Sequence, residues 1–158
     1  MGRTKKNRIT ADIDSLNYVK REIKQYWKLK EQCSFFEKSR PHLLQAANID
    51  PDIFCPECYP SREMLLFSEV PEADKQSVEI YLATKETVYL IERGIWQMEA
   101  GVKAVMEDLY YQRMSWAEVM QKHNISRMTL CRTKNRGLNE LAVYAGSYFQ
   151  WKAEQLYM

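Results

Sequence analysis

Apolar side chains recur at gaps of three and four along three stretches of the sequence, the repeat that gathers one face of an α-helix. In the first stretch Leu16, Val19, Ile23 and Tyr26 form a stripe, while Asn17, Lys20, Arg21 and Lys24 fall off it. Thr10 is the expected N-cap, with Asp12 and Asp14 in the first turn, where carboxylates complement the helix dipole. This helix is expected to run to about Lys38 and to stop or kink at Pro41. In the second stretch Val88, Ile91, Ile95, Met98, Val102, Val105 and Leu109 keep the spacing of a coiled-coil or bundle seam. That helix is expected to begin near Ala73, to break or bend at Gly101, and to resume from Val102 to Tyr111. The first helix and this one are expected to pair as an antiparallel hairpin. In the third stretch Leu138, Leu141, Tyr144 and Tyr148 carry the pattern toward the C-terminus.

Between the first two stretches, residues 41–72 break the pattern. Pro51, Pro56 and Pro60 cluster there, Asp50-Pro51-Asp52 reads as a turn, and a short helix fits at His42 to Ala47. With only 5 Gly and 5 Pro in 158 residues, the long uninterrupted segments favour helix over a turn-rich β fold. The expected fold class is all-α. Residues 1–9 read as a flexible basic arm, residues 10–100 as a helical region with the irregular insert, and residues 101–158 as a C-terminal helix-turn-helix domain.

A net charge of +2 says little until it is distributed along the chain. Arg62 to Asp108 holds five Lys/Arg against ten Asp/Glu, whereas Arg113 to Arg136 holds six against one. Arg3, Lys5, Lys6 and Arg8 add a second basic zone without an acid. Two cationic zones around an acidic middle form a local electrostatic footprint despite the small total.

The second cationic zone coincides with the most specific local signals. Ser115 with Glu118 three residues later is a capping box for a short helix, Trp116 to His123. Asn124 tolerates the left-handed conformation that ends such a helix, and Ile125 plugs the turn. Ser126 then caps the next helix, from Arg127 to about Val143. Trp116, Val119, Met120, Ile125 and Leu130 are expected to face the core. Helix, short turn, helix is the arrangement that lets a second helix enter the major groove. Arg127 and Arg132 suit guanine edges and Asn135 an adenine edge. Ser126, Thr129, Lys134 and Arg136 suit the phosphate backbone, and Cys131 is small enough for close approach to DNA.

The run Met106-Glu107-Asp108-Leu109-Tyr110-Tyr111-Gln112-Arg113-Met114-Ser115-Trp116-Ala117-Glu118-Val119-Met120, followed by Asn124-Ile125-Ser126-Arg127-Met128-Thr129-Leu130, resembles the promoter-reading C-terminal domain of bacterial sigma factors. The overall layout, with an N-terminal helix rich in Tyr, Trp and Lys (Tyr18 to Lys30), is similar to phage late-gene transcription regulators of the RinA and ArpU type. Carried over by position, the resemblance turns Arg127, Met128, Cys131, Arg132 and Asn135 to the groove. It implies an activator of late phage genes that binds double-stranded promoter DNA in the bacterial host cytoplasm and acts with RNA polymerase. Two other roles stay open: a phage DNA-packaging recognition subunit, and a helical protein–protein adaptor that does not bind DNA.

Other chemistry is sparse. Cys55-Pro56-Glu57-Cys58 could bring two thiolates to zinc, with Cys33 and His42 as further ligands. Two ordinary thiols in a loop are the plainer reading, and no cofactor is expected. No phosphate-cradling Gly loop, nucleophile elbow or metalloprotease motif occurs, so the chain is read as a non-enzyme. His123 is read as a helix-end cation or a packed ring. No apolar run reaches the length of a membrane span, and no secretory signal is recognised. The aromatic tail, Tyr144, Tyr148, Phe149, Trp151 and Tyr157, suits either self-packing or contact with a second copy or polymerase.

Overall fold

The computed structural model describes residues 11–53, 65 and 67–156. The expected Thr10 cap, the basic arm, Cys55, Cys58 and Tyr157 lie outside the described residues. The protein is all-helical, with seven α-helices and no strand among the described residues. They are α1 (Ile13–Lys24), α2 (Tyr26–Ser39), α3 (Pro41–Ala46), α4 (Lys75–Trp96), α5 (Ala100–Met106), α6 (Trp116–His123) and α7 (Arg127–Leu156). A single 3₁₀ turn (Glu72–Asp74) leads into α4, and a π-helical turn (Glu107–Tyr111) extends α5. No described helix is long and apolar enough to cross a membrane.

The chain divides into two compact units, residues 27–88 and residues 1–26 with 89–158. The second therefore joins the N-terminal helix to the C-terminal region. In the unit of residues 27–88, Cys33, Leu43, Leu44, Ala47, Ile49, Leu65, Val70, Val78 and Tyr81 form a buried core. Glu37 on α2 accepts hydrogen bonds from Tyr81 (2.7 Å) and Lys85 (2.8 Å) on α4, and Arg40 lies 3.8 Å from Asp74. Later residues of α2 meet earlier residues beyond the loop, so the two helices run antiparallel.

The first helix does not continue unbroken to Lys38. It ends at Gln25, whose backbone N–H turns back to Glu22 O (3.0 Å), and α2 starts afresh at Tyr26. Its N-cap is Asp12, placed by the sequence pattern in the first turn; the Asp12 carboxylate accepts the Ser15 N–H at 2.8 Å.

α1 packs along α7. Its stripe residues Val19 and Ile23 are buried, and Gly146 permits the approach, because a Cβ there would lie 2.7 Å from Ser15 Cβ. Farther along, Lys152 Nζ meets Glu22 Oε1 at 3.0 Å, with both side chains buried.

The second apolar seam is buried from Val88 to Val105, yet it lies on two helices. The break falls at Gln97–Glu99, not at Gly101. The Gln97 and Met98 N–H groups close α4 on Arg93 and Ile95, and Glu99 is extended while its carbonyl accepts the Lys103 N–H at 2.8 Å. Gly101 sits in the first turn of α5, where a missing side chain costs little.

Candidate nucleic-acid interface

Residues 105–130 assemble around Val105, Val119 and Leu130, with Leu109, Met114, Trp116, Met120 and Ile125 packed against them. Ser115 and Glu118 form the reciprocal capping box: Ser115 Oγ accepts the Glu118 N–H (3.1 Å) and Glu118 Oε1 accepts the Ser115 N–H (3.0 Å). α6 ends at Asn124, which is left-handed (φ 52°, ψ 52°). The Ile125 N–H then bonds Met120 O at 3.0 Å, which tucks Ile125 under the turn. Ser126 caps α7, its Oγ accepting the Thr129 N–H at 3.1 Å. The helix, three-residue turn and helix expected from the sequence are all present, although α7 runs on to Leu156, well past Val143.

A buried acid that sequence reasoning missed braces this unit. Asp108, on the π-helical turn, accepts from Lys122 Nζ at 3.0 Å and lies 2.6 Å from His123 Nε2. Burial pushes the Asp108 carboxyl up, but the hydrogen bonds from His123 and Lys122 outweigh it and hold the group below its ordinary value. The last turn of α6 is thereby tied to the helix before it. His123, read from the sequence as a helix-end cation or a packed ring, is half-buried against Asp108. The only sequence signal was one acid ahead of a basic helix end, too common to single out.

A second unforeseen contact lies at the other side of the π-helical turn. Tyr111 stacks on Tyr26 (ring centroids 4.7 Å), and the Tyr26 hydroxyl donates to Glu92. Burial and the Glu92 carboxylate both raise the Tyr26 hydroxyl far above its ordinary value, so it stays a donor.

The groove-facing residues of the sequence reading sort into two sets. Ser126, Arg127, Met128, Thr129, Arg132 and Asn135 are exposed, Met128 by 63%. Cys131 is half-buried, and the Asn135 amide points to its sulfur at 3.6 Å. At about 100° per residue, Arg127, Met128, Cys131, Arg132 and Asn135 occupy an arc of about 140° on α7. Three of the cations, Arg127 among them, also have partners. The Arg127 guanidinium and Lys134 ammonium lie 5.0 and 4.9 Å from the Trp116 ring centroid, and Trp116, placed in the core by the sequence pattern, is half-buried beneath them. Arg136 pairs with Glu99 (3.0 Å) and Glu140 (3.8 Å).

Of the residues considered for zinc, only Cys33 and His42 are among the described residues. Cys33 is buried in the core of residues 27–88, where burial pushes its thiol up to about 11, while His42 is exposed. Among the described residues no group of three or more His, Cys, Asp or Glu could hold a metal ion.

Comparison with known proteins adds no relative: no family model, curated protein or solved structure gives a significant match to the chain. What the geometry defines is a class, a capped helix-turn-helix with an exposed polar and cationic ridge on its second helix.

Proposed function

We propose that the protein is a sequence-specific DNA-binding transcription regulator that inserts the first three turns of α7 into the major groove. The supporting observation is the joint exposure of Arg127, Arg132 and Asn135 on one arc of a helix whose opposite side is packed through Leu130 and Gly137. The arginines donate to guanine edges and Asn135 pairs with adenine. Ser126, Thr129 and the helix N-terminus meet a phosphate, and Lys134 and Arg136 flank the backbone once their present partners yield. Exposed Val143, Tyr144 and Trp151, on the outer side of the same helix, suit a protein contact such as polymerase.

Selection of bound sequences from a randomised duplex pool tests the reading. The protein should enrich a defined site, and Arg127→Ala and Arg132→Ala should each lose about 1–3 kcal/mol of binding and relax specificity at one position. Binding left unchanged by both variants rules out this docking.

A further inference from the structure

The helix-turn-helix unit shields its large apolar side chains. Val105, Val119 and Leu130 are buried, and Leu109, Met114, Trp116, Met120 and Ile125 pack half-buried against them. Met128 breaks the rule. At 63% exposure it is the one large apolar side chain left in the open among residues 105–135. It lies outside the cluster that joins α6 to α7, because two residues at about 100° each place it about 160° round the helix from Leu130.

Its neighbours on the arc are polar. Counted from Arg127, the order round α7 is Arg127, Cys131, Asn135, Met128 and Arg132, at about 0°, 40°, 80°, 100° and 140°. Met128 therefore falls between exposed Asn135 and exposed Arg132. Arg132 is one turn further on, about 6 Å along the axis, which is less than two base-pair steps of ~3.4 Å. No acid occurs on α7 before Glu140. An apolar protein surface would meet a lone thioether among side chains that need hydrogen-bond partners. The major groove matches the arc better, since its donors and acceptors are interrupted by the C5-methyl group of thymine. Methionine suits that methyl group, because an unbranched side chain with a polarisable sulfur adapts its shape to what it covers.

We infer that Met128 reads thymine, its thioether packing on the C5-methyl group within two base pairs of the edge met by Arg132. This rests on the proposed docking of α7. It adds to that docking a base class that the arginines, on guanine, and Asn135, on adenine, do not supply.

The test uses the full chain and the duplex that it selects from a randomised pool. Each thymine of that duplex is replaced in turn by deoxyuridine, which removes the methyl group and keeps the pairing edge. Affinity is measured for the wild type, Met128→Ala and Arg132→Ala. One deoxyuridine position should weaken the wild type about fourfold, the equivalent of ~0.8 kcal/mol for one buried carbon. At that position Met128→Ala should bind the thymine and deoxyuridine duplexes equally. Arg132→Ala should keep the fourfold ratio, because the contact that it loses is to another base. The thermal midpoint of Met128→Ala should equal that of the wild type, since the side chain is exposed. A selected site in which no thymine methyl matters overturns the Met128 contact, and the α7 docking still stands if Arg127→Ala and Arg132→Ala weaken binding. A methyl effect that persists in Met128→Ala, or that disappears equally in Arg132→Ala, also overturns the Met128 contact. Failure to select any sequence overturns the docking and the thymine contact together.

Discussion

The two halves of α7 present the same helical arc to different surroundings. From Arg127 to Asn135 that arc carries Arg, Met, Cys, Arg and Asn and is largely exposed. From Leu138 to Ala153 it carries Leu138, Ala142, Ala145, Gly146, Phe149 and Ala153, all buried, with half-buried Asn139 and Gln150 at its edge. The apolar anchor of the first half lies on another side, at Leu130, Gly137 and Leu141, and Gly137 lets Met106 come closer than a Cβ would allow. One helix therefore serves two packing schemes. Its front is held from behind by α5 and α6, leaving the arc open, and its rear has the arc closed by α1. The local partner, not the helix, decides which part of the arc stays available for binding.

The sharpest way to break that contrast is to remove what closes the rear half. Lys152 and Glu22 form an ion pair buried to 2% and 8% side-chain exposure. Burial works to lower the Lys152 pKa, and the Glu22 charge opposes it. Deleting one partner leaves a charge in a poorly solvated site, so Lys152→Ala should cost about 3–5 kcal/mol in denaturant unfolding. Replacing both Glu22 and Lys152 by Met should recover most of that loss, because the pair itself gains little over good apolar packing. A stable Lys152→Ala protein would mean that the rear arc is not closed in this way.

The support of the front half should give the next largest effect. Asp108→Asn removes the carboxylate that receives Lys122 and His123, at a cost of about 2 kcal/mol. The Asp108 carboxyl sits below its ordinary value of 3.8 in the folded protein. Its contribution is therefore complete above that value and is lost as pH falls through the lower, folded value. Unfolding measured from pH 6 downward should show an acid limb in the wild type that is shallower in Asp108→Asn. Parallel limbs would show that the brace does not hold α6.

The front half was far more legible in the sequence than the rear. Ser115, Glu118, Asn124 and Ser126 act on the backbone within three or four residues, so their roles follow from spacing alone. Their hydrogen bonds are all formed as expected. The all-helical class followed from the apolar spacing in the same way. The rear depends on contacts far apart in the chain. Glu22 with Lys152 and Ala11 with Asn139 leave no periodic trace. The break after Trp96 was misplaced at Gly101 because glycine is a local signal, whereas extended Glu99 carries none. Asp12 shows the limit of even local rules: Thr10, Asp12 and Asp14 are all acceptable caps, and Asp12 takes the role by bonding the Ser15 N–H.

The smallest effect concerns the entry of the open arc. Ser126 caps α7 through its bond to the Thr129 N–H, and its own hydroxyl hydrogen points to Thr129 Oγ1 at 3.1 Å. Ser126→Ala removes that acceptor from an exposed helix end where water can substitute, so it should cost only about 1 kcal/mol of stability. Its effect on DNA should be distinct in kind. The same first turn supplies the N–H groups that meet a phosphate, and a frayed turn also lets Arg127 leave the Trp116 face. The variant should weaken binding to random and selected duplexes by the same factor and leave the selected sequence unchanged. Asp at this position restores the cap but sets a carboxylate beside the phosphate. Ser126→Asp should thus recover stability without recovering affinity. Equal recovery of both would place the phosphate elsewhere and remove the N-terminus of α7 from the contact.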